Sequence, residues 1–393
     1  MTTKAATHDE AAPIGGRIWT PFTAVLAVLV ILLVVVLGVR FVRGIGAVTN
    51  LNDGYPWGLW IAWDVVIGSA LGASGFTVAF TTYILNRGKY HPIVRPALLT
   101  ALFGYAMAGA SVVFDVGRYW DMWHVFMPRY AQLNSVLFEV AVCIAAYTVV
   151  LFIEFLPVVL EKFGMAKAHQ KLDKALFFFI AIGVLLPTMH QSSLGSMLIV
   201  FGPQIDPIYQ TKALPVLFLV STIGMGLAAV TIEGSVTALA LRRPLERELL
   251  AKLMKVGQGL TAIFLLVRFT DLAVRGQLPA IFEIRTLTIL FWIETALFAT
   301  PIVLLLGKGG TQPRRFFIAA MSMAIAGILY RLDAYLVAYD TGAGWHYFPS
   351  MGELVVTIGL VAAEILGFII AIRVLPVLPK MGRTRTAPAT ETH

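Results

Sequence analysis

A single cysteine, Cys143, stands in the 393 residues, and it lies inside an apolar run. One thiol excludes an intrachain disulfide, and it excludes the four thiolates that an iron–sulfur cluster ordinarily needs. Charge is scarce as well, at 13% of residues against about 25% in soluble domains. Histidine is thinly spread. Of His8, His91, His124, His169, His190, His346 and His393, only His190 falls within an apolar segment. A membrane haem b needs two facing histidines, so the reading is that the chain holds no haem and no iron–sulfur cluster. No CxxCH and no GxxxxGK[ST] occurs, which leaves no attached haem and no phosphate-cradling loop of that type.

Hydrophobic residues make up 58% of the chain, with a mean hydropathy of +0.82. Windows long enough to cross ~30 Å of hydrocarbon fall at about 21–40, 56–85, 95–116, 133–156, 174–195, 213–240, 254–272, 286–306, 315–338 and 352–376. The expectation is an all-α integral membrane protein with one transmembrane domain over 21–376, between a tail at 1–20 and a tail at 377–393. The first apolar run leads into Arg40, Phe41 and Arg43 rather than small residues at a cleavage site, so it reads as a retained helix.

Basic residues orient the chain. Arg40, Arg43, Arg118, Arg129, Lys212, Arg268, Arg275, Arg285 and Arg331 lie toward one side, and the other 21 of the 30 lie toward the side that carries both tails. The richer side is expected to be cytoplasmic, with the 116–132 and 196–212 loops outside. The net charge of +8 then faces anionic lipid, not nucleic acid. A faint repeat relates helices 2–5 to helices 6–9. Asp115 and Arg118 close the third window, and Arg268 and Asp271 close the seventh. Glu139 and Glu294 stand near the starts of the fourth and eighth. Two four-helix bundles with flanking helices 1 and 10 are the expected layout.

Polar residues inside hydrocarbon are costly and mark function. The stretch LLPTMHQSSLGS, 185–196, places His190 and Gln191 near the outer end of the fifth helix. Asp64, Tyr105, Asp115 and Glu139 share the outer half of the first four helices. Glu233 and Glu364 lie deeper. The structural alternatives are a protonated glutamate bonded to its neighbour helix and, for Asp115 with Arg118, an interfacial i,i+3 ion pair. Converging metal ligands are absent from the pattern, so no metal site is expected.

Seven stretches carry a resemblance: NDGYPWGLWIAWD (52–64), LNRGKYHPIVRPALL (85–99), FGYAMAGASVVFDVGRYW (103–120), NSVLFEVAVC (134–143), LLPTMHQSSLGS, EGS (233–235) and FWIE (291–294). The chain resembles the HybB-like membrane subunits of hydrogenase-2-type [NiFe] hydrogenases, within the NrfD/PsrC superfamily of quinone-reactive subunits. That resemblance implies a quinone, menaquinone or ubiquinone, as substrate near the outer face of the first bundle. It implies a periplasmic ferredoxin-like iron–sulfur partner joined to hydrogenase large and small subunits at the bacterial inner membrane. On it, His190, Gln191, Asp115 and Arg118 are the expected quinone contacts. Glu139, Tyr105, Glu233 and Asp64 are the expected proton carriers. The chain itself would be a non-catalytic or quinone-reducing subunit. Four alternatives stand beside this: a quinol-oxidising subunit of another reductase, a haem b cytochrome subunit, a secondary transporter and a passive anchor.

Overall fold

The structure is a computed structural model that describes residues 11–84, 91–342 and 344–380. Part of LNRGKYHPIVRPALL and much of the two tails lie outside the described residues. Ten helices among the described residues are long and apolar enough to cross a membrane. They are α1 (Pro21–Arg43), α2 (Ile61–Thr82), α3 (Pro92–Asp115), α4 (Val136–Lys162), α5 (Ala166–Gln204), α6 (Leu214–Ala240), α7 (Arg247–Val274), α8 (Thr286–Leu304), α9 (Pro313–Val337) and α10 (Met351–Val374). The all-helical membrane fold expected from the sequence is what the chain adopts.

The packing order follows the chain. Helix α2 lies on α3, α3 on α4, α4 on α5, and α5 on α2 and α6. The second set runs α6 on α7, α7 on α8, α8 on α9, and α9 back on α6. Helix α1 pairs with α10 through the close approach of Leu33 to Gly359. Ala12 and Ile14 donate backbone hydrogen bonds to Leu378 and Ile372, so the segments nearest the two termini meet on one face. That face is the terminal face below, and the other is the opposite face.

Small residues let α2 sit at the centre. A Cβ at Gly226 of α6 would come 2.8 Å from the backbone of Ala73, and one at Gly72 would come 3.1 Å from the Tyr105 ring. In hydrocarbon, such close backbone approach supplies the packing that water would otherwise drive. Helix α2 is irregular there. It opens with a π-helical stretch, Ile61–Gly68, and α9 ends with another, Asp333–Val337. Such widened turns collect at functional sites, and each of these carries a buried aspartate, Asp64 and Asp333.

Helix α5 departs most from expectation. Its regular part, Ala166–Phe201, is 36 residues, where the sequence suggested 174–195. The polar segment AKAHQKLDK falls almost wholly between the apolar windows, yet its residues are good helix formers. At the other end, Ser193 and Ser196 turn their hydroxyls onto the carbonyls of Met189 and Ser192, four residues back, and the helix runs on. Two corrections follow. His169 is not in a loop but on the helix, paired with Asp173 at 3.0 Å. His190 is not at the helix end but ~17 Å short of Phe201.

Candidate functional site

His190 and Gln191 are completely buried on α5, facing α2 and α6. Gln191 Nε2 donates to Ser69 Oγ at 2.8 Å and lies 3.1 Å from His190 Nε2. Ser69 Oγ lies 3.1 Å from the same imidazole nitrogen and donates its own proton to the Val65 carbonyl. Thr222 Oγ1 donates to Gln191 Oε1 at 2.7 Å. Arg331 Nη2 donates to Thr222 Oγ1 at 2.6 Å. A continuous chain of hydrogen bonds therefore joins α9 to α5 through α6. His190 Nδ1 has no protein partner.

Below the imidazole, toward the terminal face, aromatic hydroxyls follow. Tyr105 sits 5.8 Å from His190 by ring centroid, and Tyr147 sits 4.5 Å from Tyr105. Neither hydroxyl has a well-formed hydrogen bond. One face of α4 carries Glu139, Tyr147 and Glu154 at spacings of eight and seven residues, which is the helix repeat. Glu139 accepts from Ser193 Oγ at 2.7 Å, one turn beyond His190. Glu154 is 6% exposed, its Oε1 has no partner, and it occupies the space that Gly183 leaves on α5. Glu154 went unnoticed in the sequence, although its register with Tyr147 and Glu139 was there to be read.

The other expected residues are placed less compactly. Glu233 of α6 accepts from Thr100 Oγ1 of α3 at 2.7 Å, at about the depth of Glu154. Asp64 is buried with Oδ2 unpartnered, within electrostatic reach of Asp115 and Glu364. Asp115 does not pair with Arg118. Helix α3 stops at Asp115, the turn that follows carries Arg118 out to an exposed position, and Arg40 is the cation near Asp115. Arg40 itself donates to the carbonyls of Phe114 at 2.7 Å and Val116 at 2.5 Å, finishing the α3 terminus. The four expected quinone contacts thus form one linked pair, His190 and Gln191, with Asp115 and Arg118 making no hydrogen bond or ion pair to it among the described residues.

A second polar centre lies in the α6–α9 group. Arg268 forms an ion pair with Glu294, both essentially fully buried. Tyr209 donates to Glu294 Oε1 at 3.0 Å and reaches Asp333 Oδ2 at 3.4 Å. Burial, with Glu294 alongside, pushes the Tyr209 phenol well up, so it remains a donor. The Arg268 guanidinium also stacks over Phe291, Tyr209 and Tyr330 at 4.4, 5.0 and 5.0 Å. Two carboxyls meet one cation here. The adjoining loop 202–213 is tied down by Arg285 on Asp206 and by Arg275 on the Pro207 and Gln210 carbonyls.

The profile of the family described as "Polysulphide reductase, NrfD" matches residues 47–338. The chain is 41% identical over 378 residues to the probable Ni/Fe-hydrogenase 2 b-type cytochrome subunit of Escherichia coli K12, covering 95% of this chain and 96% of that one. It is 36% identical over 168 residues to the menaquinone reductase integral membrane subunit of Nitratidesulfovibrio vulgaris, 41% of this chain and 39% of that one. It is 23% identical over 365 residues to the Hdr-like menaquinol oxidoreductase integral membrane subunit of Archaeoglobus fulgidus, 85% and 88% of the two chains.

The Escherichia coli name corrects one expectation. A b-type cytochrome subunit points to haem b, which overturns the reading of a chain without haem. The donor set described here does not match an axial histidine pair. Among the described residues His190 is the one completely buried imidazole, and no group of three His, Cys, Asp or Glu side chains converges. No electron step is therefore assigned to a haem.

Proposed function

The chain belongs to the NrfD family, and from that footing we propose that it is the quinone-reactive membrane subunit of a periplasm-facing [NiFe] hydrogenase. The support is threefold: the family match, the identity with a hydrogenase 2 subunit along nearly the whole chain, and the menaquinone-linked names of two other relatives. The observation that carries the site is a completely buried imidazole with a free Nδ1, held inside the helix bundle by a closed set of hydrogen bonds.

The chemistry follows from that placement. Electrons from oxidised H2 arrive through an iron–sulfur partner docked on the opposite face. Exposed Trp120, Trp123 and Tyr130 beside α3 and α4 offer that partner an aromatic surface. Aromatic residues anchor such interfaces. His190 hydrogen-bonds one quinone oxygen as it takes up electrons. The two protons of the quinol come along Glu154, Tyr147 and Tyr105, with Glu233 and Thr100 as a second inner station. Asp64, Glu139 and Asp115 serve the opposite-face side. Because His190 and Gln191 have no exposed surface, a head group reaches them only by moving side chains between α2 and α5.

Purification after mild solubilisation tests the partner. A [NiFe] large subunit and a ferredoxin-like subunit should come with the chain, and the assembly should reduce quinone with H2. Recovery of a different reductase instead would overturn the hydrogenase assignment.

The proton route has its own test. Glu154→Gln keeps shape but cannot titrate, and it should slow H2-dependent quinone reduction by about tenfold or more, the scale of a lost proton-transfer group. Reduction of benzyl viologen, which takes electrons from the partner, should be unchanged. Glu233→Gln should act in the same direction, and in sealed vesicles should weaken the response to an uncoupler. Wild-type quinone rates in both variants would remove the glutamates from the route.

Orientation is tested separately. The opposite face is proposed to be periplasmic because it holds nine of the 30 basic residues. An alkaline phosphatase fusion at His393 should be inactive and a green fluorescent protein fusion there bright. The reverse pattern would invert the topology.

A further inference from the structure

Arg331 lies in the α6–α9 group, yet its hydrogen bonds lead to His190. The residue is 0% exposed, and no carboxylate lies within ion-pair distance among the described residues. Neutral acceptors surround it instead: Ser221 Oγ, Thr222 Oγ1, Met225 Sδ and the carbonyls of Phe218 and Gly327, at 2.6 to 3.2 Å. A buried cation without a counter-charge is costly. Packing alone does not call for it, since a methionine would fill such a space without that cost.

The direction of the hydrogen bonds is fixed at this end. A guanidinium only donates. Thr222 Oγ1 accepts from it, and its own proton goes to Gln191 Oε1. The Gln191 amide is thereby oriented, with both N–H groups turned toward Ser69 Oγ and His190 Nε2. Ser69 spends its proton on the Val65 carbonyl. If His190 carried its proton on Nε2, two donors would face each other across 3.1 Å and one Gln191 N–H would be left with only the poorly placed Tyr105 oxygen to accept it. If the proton is on Nδ1, Nε2 accepts from Gln191 and the one donor left over is Nδ1–H itself, which a ligand oxygen can satisfy.

We propose that Arg331 is a positioning residue for the quinone site: acting through Thr222 and Gln191, it fixes His190 in the Nδ1–H tautomer and so presents an N–H donor at the nitrogen that has no protein partner. The inference rests on the quinone reading above for what that donor meets, but the tautomer itself does not depend on it. Every dipole from Arg331 to Nδ1–H points the same way. An oxygen bonded there that gains negative charge as electrons arrive is stabilised by aligned donors with a fixed cation behind them. The arrangement also ties the two helix groups: a side chain on α9 sets the chemistry of one on α5, more than 140 residues earlier.

The test uses the full chain, labelled with 15N-histidine and held in lipid bilayers for solid-state NMR. The His190 signal is the one missing in His190→Gln. Wild type should show a protonated Nδ1 and a bare Nε2. Thr222→Val cuts the link while Ser221 and two carbonyls still hold Arg331. It should shift the signal toward protonated Nε2 and lower H2-dependent quinone turnover by about tenfold, the scale of one buried hydrogen bond to a charged group. Thr222→Ser restores the hydroxyl and should return both readouts to wild type. Arg331→Met should behave as Thr222→Val; should it fail to fold, the Thr222 pair still decides. A wild-type proton on Nε2, or an unchanged tautomer in Thr222→Val, would overturn the proposal. The quinone reading fails separately: His190→Ala would then bind menaquinone as tightly as wild type, whatever the tautomer.

Discussion

His190→Ala is expected to abolish H2-dependent quinone reduction while leaving assembly and benzyl viologen reduction at wild-type levels. The imidazole is the one completely buried histidine described, and its free Nδ1 is the ligand-directed atom of the set. Losing a buried donor to a developing oxyanion costs about 2.7–4 kcal/mol in comparable sites, or a ~100- to 1,000-fold fall in rate. The alanine leaves the Gln191 bonds to Ser69 and Thr222 in place, so assembly should survive. His190→Gln should recover part of the rate, since an amide N–H can reach in the same direction. The pair of assays separates the outcomes. Loss of viologen activity would mean a disturbed partner, and normal quinone activity would make His190 a structural residue.

The largest effect on stability should come from the second polar centre. Arg268→Leu removes the only cation that pairs with Glu294 among the described ion pairs, and it leaves Glu294 and Asp333 buried together. Breaking a buried pair on one side costs about 3–5 kcal/mol, because the remaining charge has nothing to replace water. The variant should accumulate poorly and lose its folded fraction at a markedly lower temperature in detergent, measured by size-exclusion after a heating series. Arg268→Leu with Glu294→Leu should recover most of the loss, since an apolar pair of similar volume carries no desolvation cost. If the single and double variants melt alike, the pair contributes function rather than stability, and Glu294 with Asp333 becomes a proton-holding site to be tested for quinone coupling. Glu294→Gln then becomes the variant of interest.

These two centres differ in how far the sequence revealed them. Hydrocarbon thickness dictates about 20 apolar residues per span, and ten such windows were plain. What failed was the length of α5, where helix-forming polar residues extend the helix past the terminal-face boundary and two serines continue it past the other. The consequence is that His190, expected near the helix end, stands eleven residues before it. His190 and Gln191 themselves stood out because polar residues in an apolar run are rare. Ser69, Thr222 and Arg331 did not, because each looks ordinary alone and acquires meaning only when three helices meet. Asp115 and Arg118 show the limit of local spacing. Their i,i+3 spacing implies a pair only if the helix continues, and it stops at Asp115. The pairing of Glu294 with Arg268 was not legible, because the two stand on different helices and no local pattern links them.

The central claim is that quinone meets this chain at His190, between α2, α3 and α5. A photoactivatable azido-quinone, cross-linked in membranes that hold the intact complex and mapped by peptide mass spectrometry, tests it directly. The label should fall on peptides containing Ser69, Tyr105 or His190, and excess menaquinone should suppress it. Label confined to the α6–α9 helices or to a partner subunit, competed by the same quinone, would place the site elsewhere and contradict the account.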